Sequence, residues 1–353
     1  WRGALTALRQ LRAAGLAGDP RVHTGVIGAL ASARRWREAL DVLRQMREVD
    51  GLSPNVVSFT AAMRALATSG KVTEALALLQ EMEEGGIAPN ERTYAAALGA
   101  CAAAGDADSA VNLLHLMRRA GVIPTTRSLN DVVSNLTRRR RYREVIAVVE
   151  AAAGTSAILP SNVVLDAWTA VAAIDACSRC GQWRKGLALL AAAATAGKAG
   201  ERTYNAALKG LAAAGQWQRA RRLLANMAAA GVPATGISYS TVIHACARGA
   251  EVALAAAVVS SAAAALLAGE LTSDVPAAAA AAAEAAEAAA ASLELLVEMR
   301  ATGVAPYLNA YNAAIDANGR AGRVDVALKL LEEIRIVGLE PDVVSNTVTA
   351  ATW

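Results

Sequence analysis

Self-similarity at a period of about 35 residues constrains this chain more than any single motif, because a segment recurring at that spacing reads as one supersecondary unit stacked on copies of itself. The clearest copy runs over 308–342, LNAYNAAIDANGRAGRVDVALKLLEEIRIVGLEPD. In its first half Tyr311, Ala314, Ile315 and Asn318 fall at helical spacing, and the stretch from Gly319 to Gly322 turns the chain. In its second half Val324, Ala327, Leu328, Leu331 and Ile334 recur at three- and four-residue steps, until Gly338 stops the helix and Pro341 prevents its resumption. Each copy is therefore predicted to be a helical hairpin.

The same pattern returns as VVSFTAAMRALATSGKVTEALALLQEMEEGGIAPN over 56–90, then without a gap over 91–125, and again over 201–235. Four features recur: an aromatic followed by a small residue (Tyr94-Ala95, Tyr204-Asn205, Tyr239-Ser240, Tyr311-Asn312), a central Gly, an A-L-x-L-L-x-x-M second helix, and a closing Gly-x-x-Pro. Together they resemble the pentatricopeptide repeat (PPR) family across nearly the whole chain. That resemblance implies an all-α, right-handed superhelical solenoid of stacked helix-turn-helix repeats.

The repeats are placed at 20–55, 56–90, 91–125, 126–166, 167–200, 201–235, 236–307 and 308–342, after a half-repeat 1–19 and before a partial one, 343–353. Opening and closing inside a repeat, the sequence reads as a fragment of a longer protein. A solenoid grows by addition, so 353 residues need not imply two globular domains. The composition suits tightly stacked helices, being 55% hydrophobic with a single Phe. In repeat 126–166 a loop, 154–163, stretches the period, and an Ala-rich low-complexity insertion, 258–291, is expected to leave repeat 236–307 as an excursion from the solenoid. The 18 uncharged residues 252–269 have the length of a short membrane span. They are mostly Ala and Ser, which gain little on transfer to lipid, so no membrane association is expected.

Little in the chain points to chemistry of its own. Cys177 and Cys180 form a lone C-x-x-C, and Cys101, Cys177 and Cys246 share one repeat position, as packing thiols would. Trp1, Trp36, Trp183 and Trp217 share another, the start of the second helix, as spacers between hairpins. His23, His115 and His244 fall at unrelated phases, and no nucleophile lies beside a base. No enzyme, cofactor or metal is expected within these residues.

Arginine is more informative. Arg138, Arg179, Arg248 and Arg320 all take the thirteenth position of their repeats, and one position repeated along a solenoid becomes a stripe that a polyanionic backbone can meet. The formal charge of +4 is too small to do this without such placement.

The resemblance further implies that the fifth and last residues of each repeat face one base of single-stranded RNA. A terminal Asp only accepts and suits a base with a ring N–H, whereas Asn can also donate to a bare ring nitrogen. By family precedent the fifth residue separates purine from pyrimidine. Carried over, Thr24 with Asn55 and Thr60 with Asn90 are adenine readers, Asn312 with Asp342 is a uracil reader, and Asn205 with Thr235 prefers pyrimidines weakly. Asn130 is a suitable fifth residue whose partner the stretched loop leaves open. Ala95 with Thr125, Val171 with Gly200 and Ser240 with Tyr307 depart from the family pairs. Val57 and Val344 at the second position would clamp bases, and Arg21, Arg92, Arg127 and Arg202 replace them elsewhere. The competing reading of these polar residues is a helix cap. The implied role is sequence-selective RNA binding in a chloroplast or mitochondrion, by a monomer, with proteins of an RNA-processing complex as further partners. Two alternatives stand beside it: a tetratricopeptide-like scaffold for proteins, and the RNA-binding arm of a nuclease-tailed member such as protein-only RNase P.

Overall fold

The computed structural model describes residues 1–15, 19–153, 166–268 and 275–342. Among these there are 17 helices and no strand. Helix α1 (Arg2–Ala13) precedes the hairpins α2 (Pro20–Ser32) with α3 (Trp36–Glu48), α4 (Val56–Ser69) with α5 (Val72–Glu84), α6 (Glu91–Ala104) with α7 (Ala107–Arg119), and α8 (Thr126–Arg138) with α9 (Tyr142–Ala153). Then come α10 (Ala167–Arg179) with α11 (Trp183–Thr195), α12 (Glu201–Ala213) with α13 (Trp217–Ala229), α14 (Gly236–Ala268) with α15 (Val275–Ala301), and α16 (Leu308–Arg320) with α17 (Val324–Ile336). They form two compact stacks, Trp1–Ala176 and Cys177–Trp353. In the first, the leading helices α2, α4, α6 and α8 pack side by side, each also on its own second helix; in the second, α12, α14 and α16 do the same. The chain is an all-α solenoid of stacked hairpins.

One apolar comb builds the core of every regular repeat. Ala75, Leu78, Leu79 and Met82 are buried in α5, Ala110, Leu113, Leu114 and Met117 in α7, and Ala220, Leu223, Leu224 and Met227 in α13. Spacings of three and four residues within each set place it on one face of its helix. The small first residue lets helices approach, while the Met closes the far end; Met46, Met82, Met117, Met227 and Met299 are all wholly buried. Truncating such a methionine to Ala costs about 2–5 kcal/mol in general.

Between the helices the chain passes through left-handed backbone. Gly70 and Gly105 adopt it (φ 63° and 74°), but Arg34 (φ 57°) and Arg140 (φ 59°) occupy the same turn in their repeats. At Gly105 a Cβ would also collide with the guanidinium of Arg139, which donates to the C-terminal carbonyls of α6, Ala104 at 2.7 Å and Ala103 at 3.2 Å. Arg141 donates to the Gly105 carbonyl. Two members of the run Arg138–Arg141 thus cap a neighbouring helix.

Where it is described, the Ala-rich insertion is helical and its two arms pack on each other. It lengthens both helices of its repeat, so that α14 has 33 residues and α15 has 27. Ala281, Ala285, Ala288, Ala289 and Ala291 are buried as α15 packs on α14. Alanine has the strongest helix propensity, and its single methyl permits close approach, so summed dispersion contacts replace large side chains. The stretch Gly236–Val259 is long and apolar enough to cross a membrane by length and composition. Part of it lies in the core, since Val242, Ile243, Ala245 and Cys246 are buried and α14 packs on α12 and α16, whereas Val252, Val258 and Val259 are exposed.

Candidate nucleic-acid interface

The last residue of most repeats caps the next leading helix. Asn55 accepts from the backbone N–H of Val57 and Ser58, both at 3.0 Å, and Asn90 from that of Thr93 at 3.0 Å. Thr125 and Asp166 cap in the same way through the N–H of Ser128 and Thr169. Capping and presentation to a ligand are compatible, because the cap consumes one oxygen and thereby fixes the direction of the rest of the group. With Oδ1 turned inward, the amide NH2 of Asn55 or Asn90 is the part left to face outward.

In two repeats the fifth residue meets the last one directly. Asn130 Nδ2 donates to Asp166 Oδ2 at 2.6 Å, and Asn312 Nδ2 donates to the Asp342 carboxylate at 3.1 and 3.2 Å. Asp166 is therefore the partner that the stretched loop concealed. Its signal lay in the next helix: an Asx followed three residues later by a hydroxyl residue, as in Asn55 with Ser58 and Asn90 with Thr93. Burial alone would raise the Asp166 carboxyl, but the Thr169 N–H, the Asn130 amide and the Thr169 hydroxyl outweigh it and hold the group below the ordinary carboxylate value.

Other repeats differ in what they expose. Thr24 and Thr60 return their hydroxyl protons to Pro20 and Val56 carbonyls at 2.9 and 2.6 Å, and Thr60 lies 2.9 Å from the Thr93 hydroxyl. Asn205 donates to Glu201 Oε1 at 3.3 Å, and Thr235 donates to the same oxygen at 3.0 Å. Ser240 is covered by Tyr307, whose hydroxyl contacts it and donates to the Gly236 carbonyl at 2.9 Å.

Two clefts gather these groups. One of about 480 Å³ in the first stack is lined by Thr24, Val57, Thr60, Asn90 and the cations Arg64 and Arg92. Val57, 62% exposed, is an apolar surface open to a flat ligand. One of about 760 Å³ in the second stack is lined by Ser240, Asn312 and Asp342, with Lys209, His244 and Arg320 beside them. Val344 lies outside the described residues.

The phased arginines are less free than their spacing suggests. Arg248 pairs with Glu251 at 2.9 Å, and Arg320 pairs with Asp316 at 2.8 Å and with the same Glu251 at 3.4 Å. Arg138 is exposed at the end of α8, and Arg179 ends α10. Among the described residues no group of three or more His, Cys, Asp or Glu could hold a metal. Burial pushes the thiols of Cys101 and Cys246 up to about 12, which disfavours thiolate chemistry. His23 is fully buried against Asp50 at 2.7 Å, and the same carboxylate receives Arg12. The indoles of Trp1, Trp36 and Trp183 carry Arg35, Lys71 and Arg219 of the following repeat at 4.5, 5.2 and 4.7 Å, which suits spacers between hairpins.

Family models described as PPR repeat match residues 21–50 and 92–122, the PPR repeat family model matches 54–103 and 200–248, and the pentatricopeptide repeat domain matches 294–348. A 62-residue segment is 47% identical to pentatricopeptide repeat-containing protein 10, chloroplastic, of Zea mays, covering 17% of this chain and 8% of that protein. The crystal structure of the pentatricopeptide repeat protein PPR10 from maize aligns over 100% of this chain and 54% of its own, at 24% identity and a TM-score of 0.51. PPR10 in complex with an 18-nucleotide psaJ RNA element aligns over 95% of this chain and 51% of its own, at 18% identity and a TM-score of 0.42. The chain thus spans about half the length of the solved maize protein, and the first of these structural likenesses bears on the fold alone.

Proposed function

The chain belongs to the pentatricopeptide repeat family, and from that premise we propose that it binds single-stranded RNA sequence-selectively, about one base per repeat, without chemistry of its own. The observation that carries this reading is the recurrence of one built pair, Asn130 with Asp166 and Asn312 with Asp342, at the same place in two repeats. A carboxylate held by a neighbouring amide is acceptor-only, so both pairs suit the N3–H of uracil. Thr24 with Asn55 and Thr60 with Asn90 turn an amide NH2 outward and suit the bare ring nitrogen of adenine. Val57 and Val344 clamp bases. Arg138, Arg179, Arg248 and Arg320 meet the backbone, joined by Arg64 and Lys209 in the clefts. The family's setting and the chloroplastic maize relative support action on organellar transcripts, in stabilisation, processing, splicing or translation, with the chloroplast or mitochondrion as its place.

Binding to a single-stranded RNA pool and to duplexes of the same sequences tests this. Single strands should bind more tightly, because base edges must be unpaired to be read, and U should be enriched opposite the two Asn–Asp repeats. Equal binding of duplexes, or binding of a peptide library without RNA, would favour a protein scaffold.

A further inference from the structure

Repeat 201–235 pairs Asn205 with a threonine, Thr235, a combination that by itself discriminates weakly because a hydroxyl both donates and accepts. The geometry points to a different reader: we propose that Glu201, the first residue of this repeat, supplies the carboxylate that its last residue lacks and makes the repeat select uracil. Glu201 Oε1 accepts from Asn205 Nδ2 at 3.3 Å and from the Thr235 hydroxyl at 3.0 Å. The Ser238 hydroxyl donates to Asn205 Oδ1 at 2.7 Å, which turns the amide so that its NH2 faces Glu201. Ser238 is wholly buried and Asn205 is 8% exposed, whereas Glu201 and Thr235 are half-buried.

The consequence is a count of protons. Thr235 gives its only hydroxyl proton to Glu201, and Asn205 turns its NH2 toward the same carboxylate. Apart from the second N–H of the buried Asn205 amide, what remains at that edge accepts: the second carboxylate oxygen and the lone pairs of Thr235. A base with a ring N–H fits it, and a base with a bare ring nitrogen meets lone pair against lone pair. The same amide-to-carboxylate bond recurs in Asn130–Asp166 and Asn312–Asp342, with the carboxylate arriving from the other end of the repeat. Glu201 is also at the first turn of α12, where the partial positive charge of the helix start favours a carboxylate. Glu91 holds the equivalent place in repeat 91–125, but there the fifth residue is Ala95, which has no amide to hold it, and Glu91 is exposed.

This inference rests on the RNA reading above, and its test separates the two. The whole chain is bound to RNA pools randomised at one position at a time, as parent, Glu201→Gln, Glu91→Gln and Asp342→Asn. The parent should enrich U opposite 201–235 as well as opposite 308–342. Glu201→Gln, which keeps the shape and adds an NH2 donor, should reduce U over C opposite 201–235 by roughly tenfold and leave the position opposite 308–342 unchanged. Glu91→Gln should change neither, and matching helical circular dichroism and Tm would show each variant folded. If U is selected opposite 308–342 but the parent has no preference opposite 201–235, or Glu201→Gln keeps its preference there, Glu201 only serves the helix start and the inference falls alone. If no repeat selects any base, the proposed function falls and this inference with it.

Discussion

The two stacks share one backbone plan and present opposite hydrogen-bonding edges. In the first, Asn55 and Asn90 spend Oδ1 on capping and leave an NH2 outward; in the second, Asp342 and the Glu201 carboxylate leave acceptors. Asp166 puts one acceptor pair of the second kind into the first stack. The second stack also carries a covered position, Ser240 under Tyr307, in the repeat whose helices the insertion lengthens. The lesson is that the cap chooses the edge. A helix start needs an oxygen, and whichever atom shares that oxygen's carbon is what is left for a ligand.

The largest expected effect concerns the lengthened hairpin. Ala285 is 1% exposed and Ala288 wholly buried, whereas positions 278–280 are exposed. Ala288→Glu would bury a carboxylate without a partner and should destabilise the chain by about 3 kcal/mol, while Ala279→Glu should cost less than about 0.5 kcal/mol. Thermal unfolding followed by circular dichroism distinguishes them, and equal Tm values would mean that α15 does not pack on α14 at Ala288.

Next come two exchanges that swap the edges. Asp342→Asn supplies an NH2 in place of an oxygen and should move preference from U toward C at one position. Asn90→Asp still caps α6 and should move preference from A toward a purine with a ring N–H, guanine. Each change is on the order of 1–3 kcal/mol, read from selection in a randomised pool. If neither substitution moves the selected base, Asn90 is only a cap and Asp342 only a partner of Asn312.

How far this was legible in the sequence follows from where each signal lives. The hairpin repeat was legible because burial at three- and four-residue steps is written along the chain, as in Ala75, Leu78, Leu79 and Met82. Asp166 was hidden because the stretch 154–165 breaks the counting that locates a repeat's last residue. The role of Glu201 depends on a meeting in space with Thr235, 34 positions on. The pairing of Arg248 and Arg320 by Glu251 was not legible either, since that glutamate lies in the lengthened part of α14, which the periodic pattern does not cover.

That pairing sets the next prediction. Arg320→Ala should weaken all RNAs alike but reduce the salt slope by less than about 1, because Asp316 and Glu251 already offset its charge. Glu251→Gln should instead raise affinity at low salt by a few-fold, roughly, by freeing two guanidiniums, and the gain should fade as salt rises. In the first stack acid should act through Asp166. Its native value is depressed, so its contribution is full above the unfolded carboxylate value of 3.8 and is lost as pH falls through the native one. Asp166→Asn should flatten stability against pH below about 4, and an unchanged acid-unfolding curve would show that other carboxylates dominate.

The smallest effect separates the stacks by their turns. Among the described residues the left-handed position between helices is held by Gly181, Gly215 and Gly322 in the second stack, but by Arg34 and Arg140 as well as Gly70 and Gly105 in the first. A non-glycine residue in this conformation costs about 1–2 kcal/mol. Glycine returns part of that through the greater freedom of the unfolded chain, about 0.4–1 kcal/mol. Arg140→Gly should therefore stabilise by roughly 0.5 kcal/mol, raising Tm by about 1–2 °C, because the caps on α6 are Arg139 and Arg141 and both remain. The double variant with Arg34→Gly should add nearly in full, the two turns being separate. A lowered Tm would mean that the Arg140 side chain contributes more than its backbone costs, and would remove strain as a difference between the two stacks.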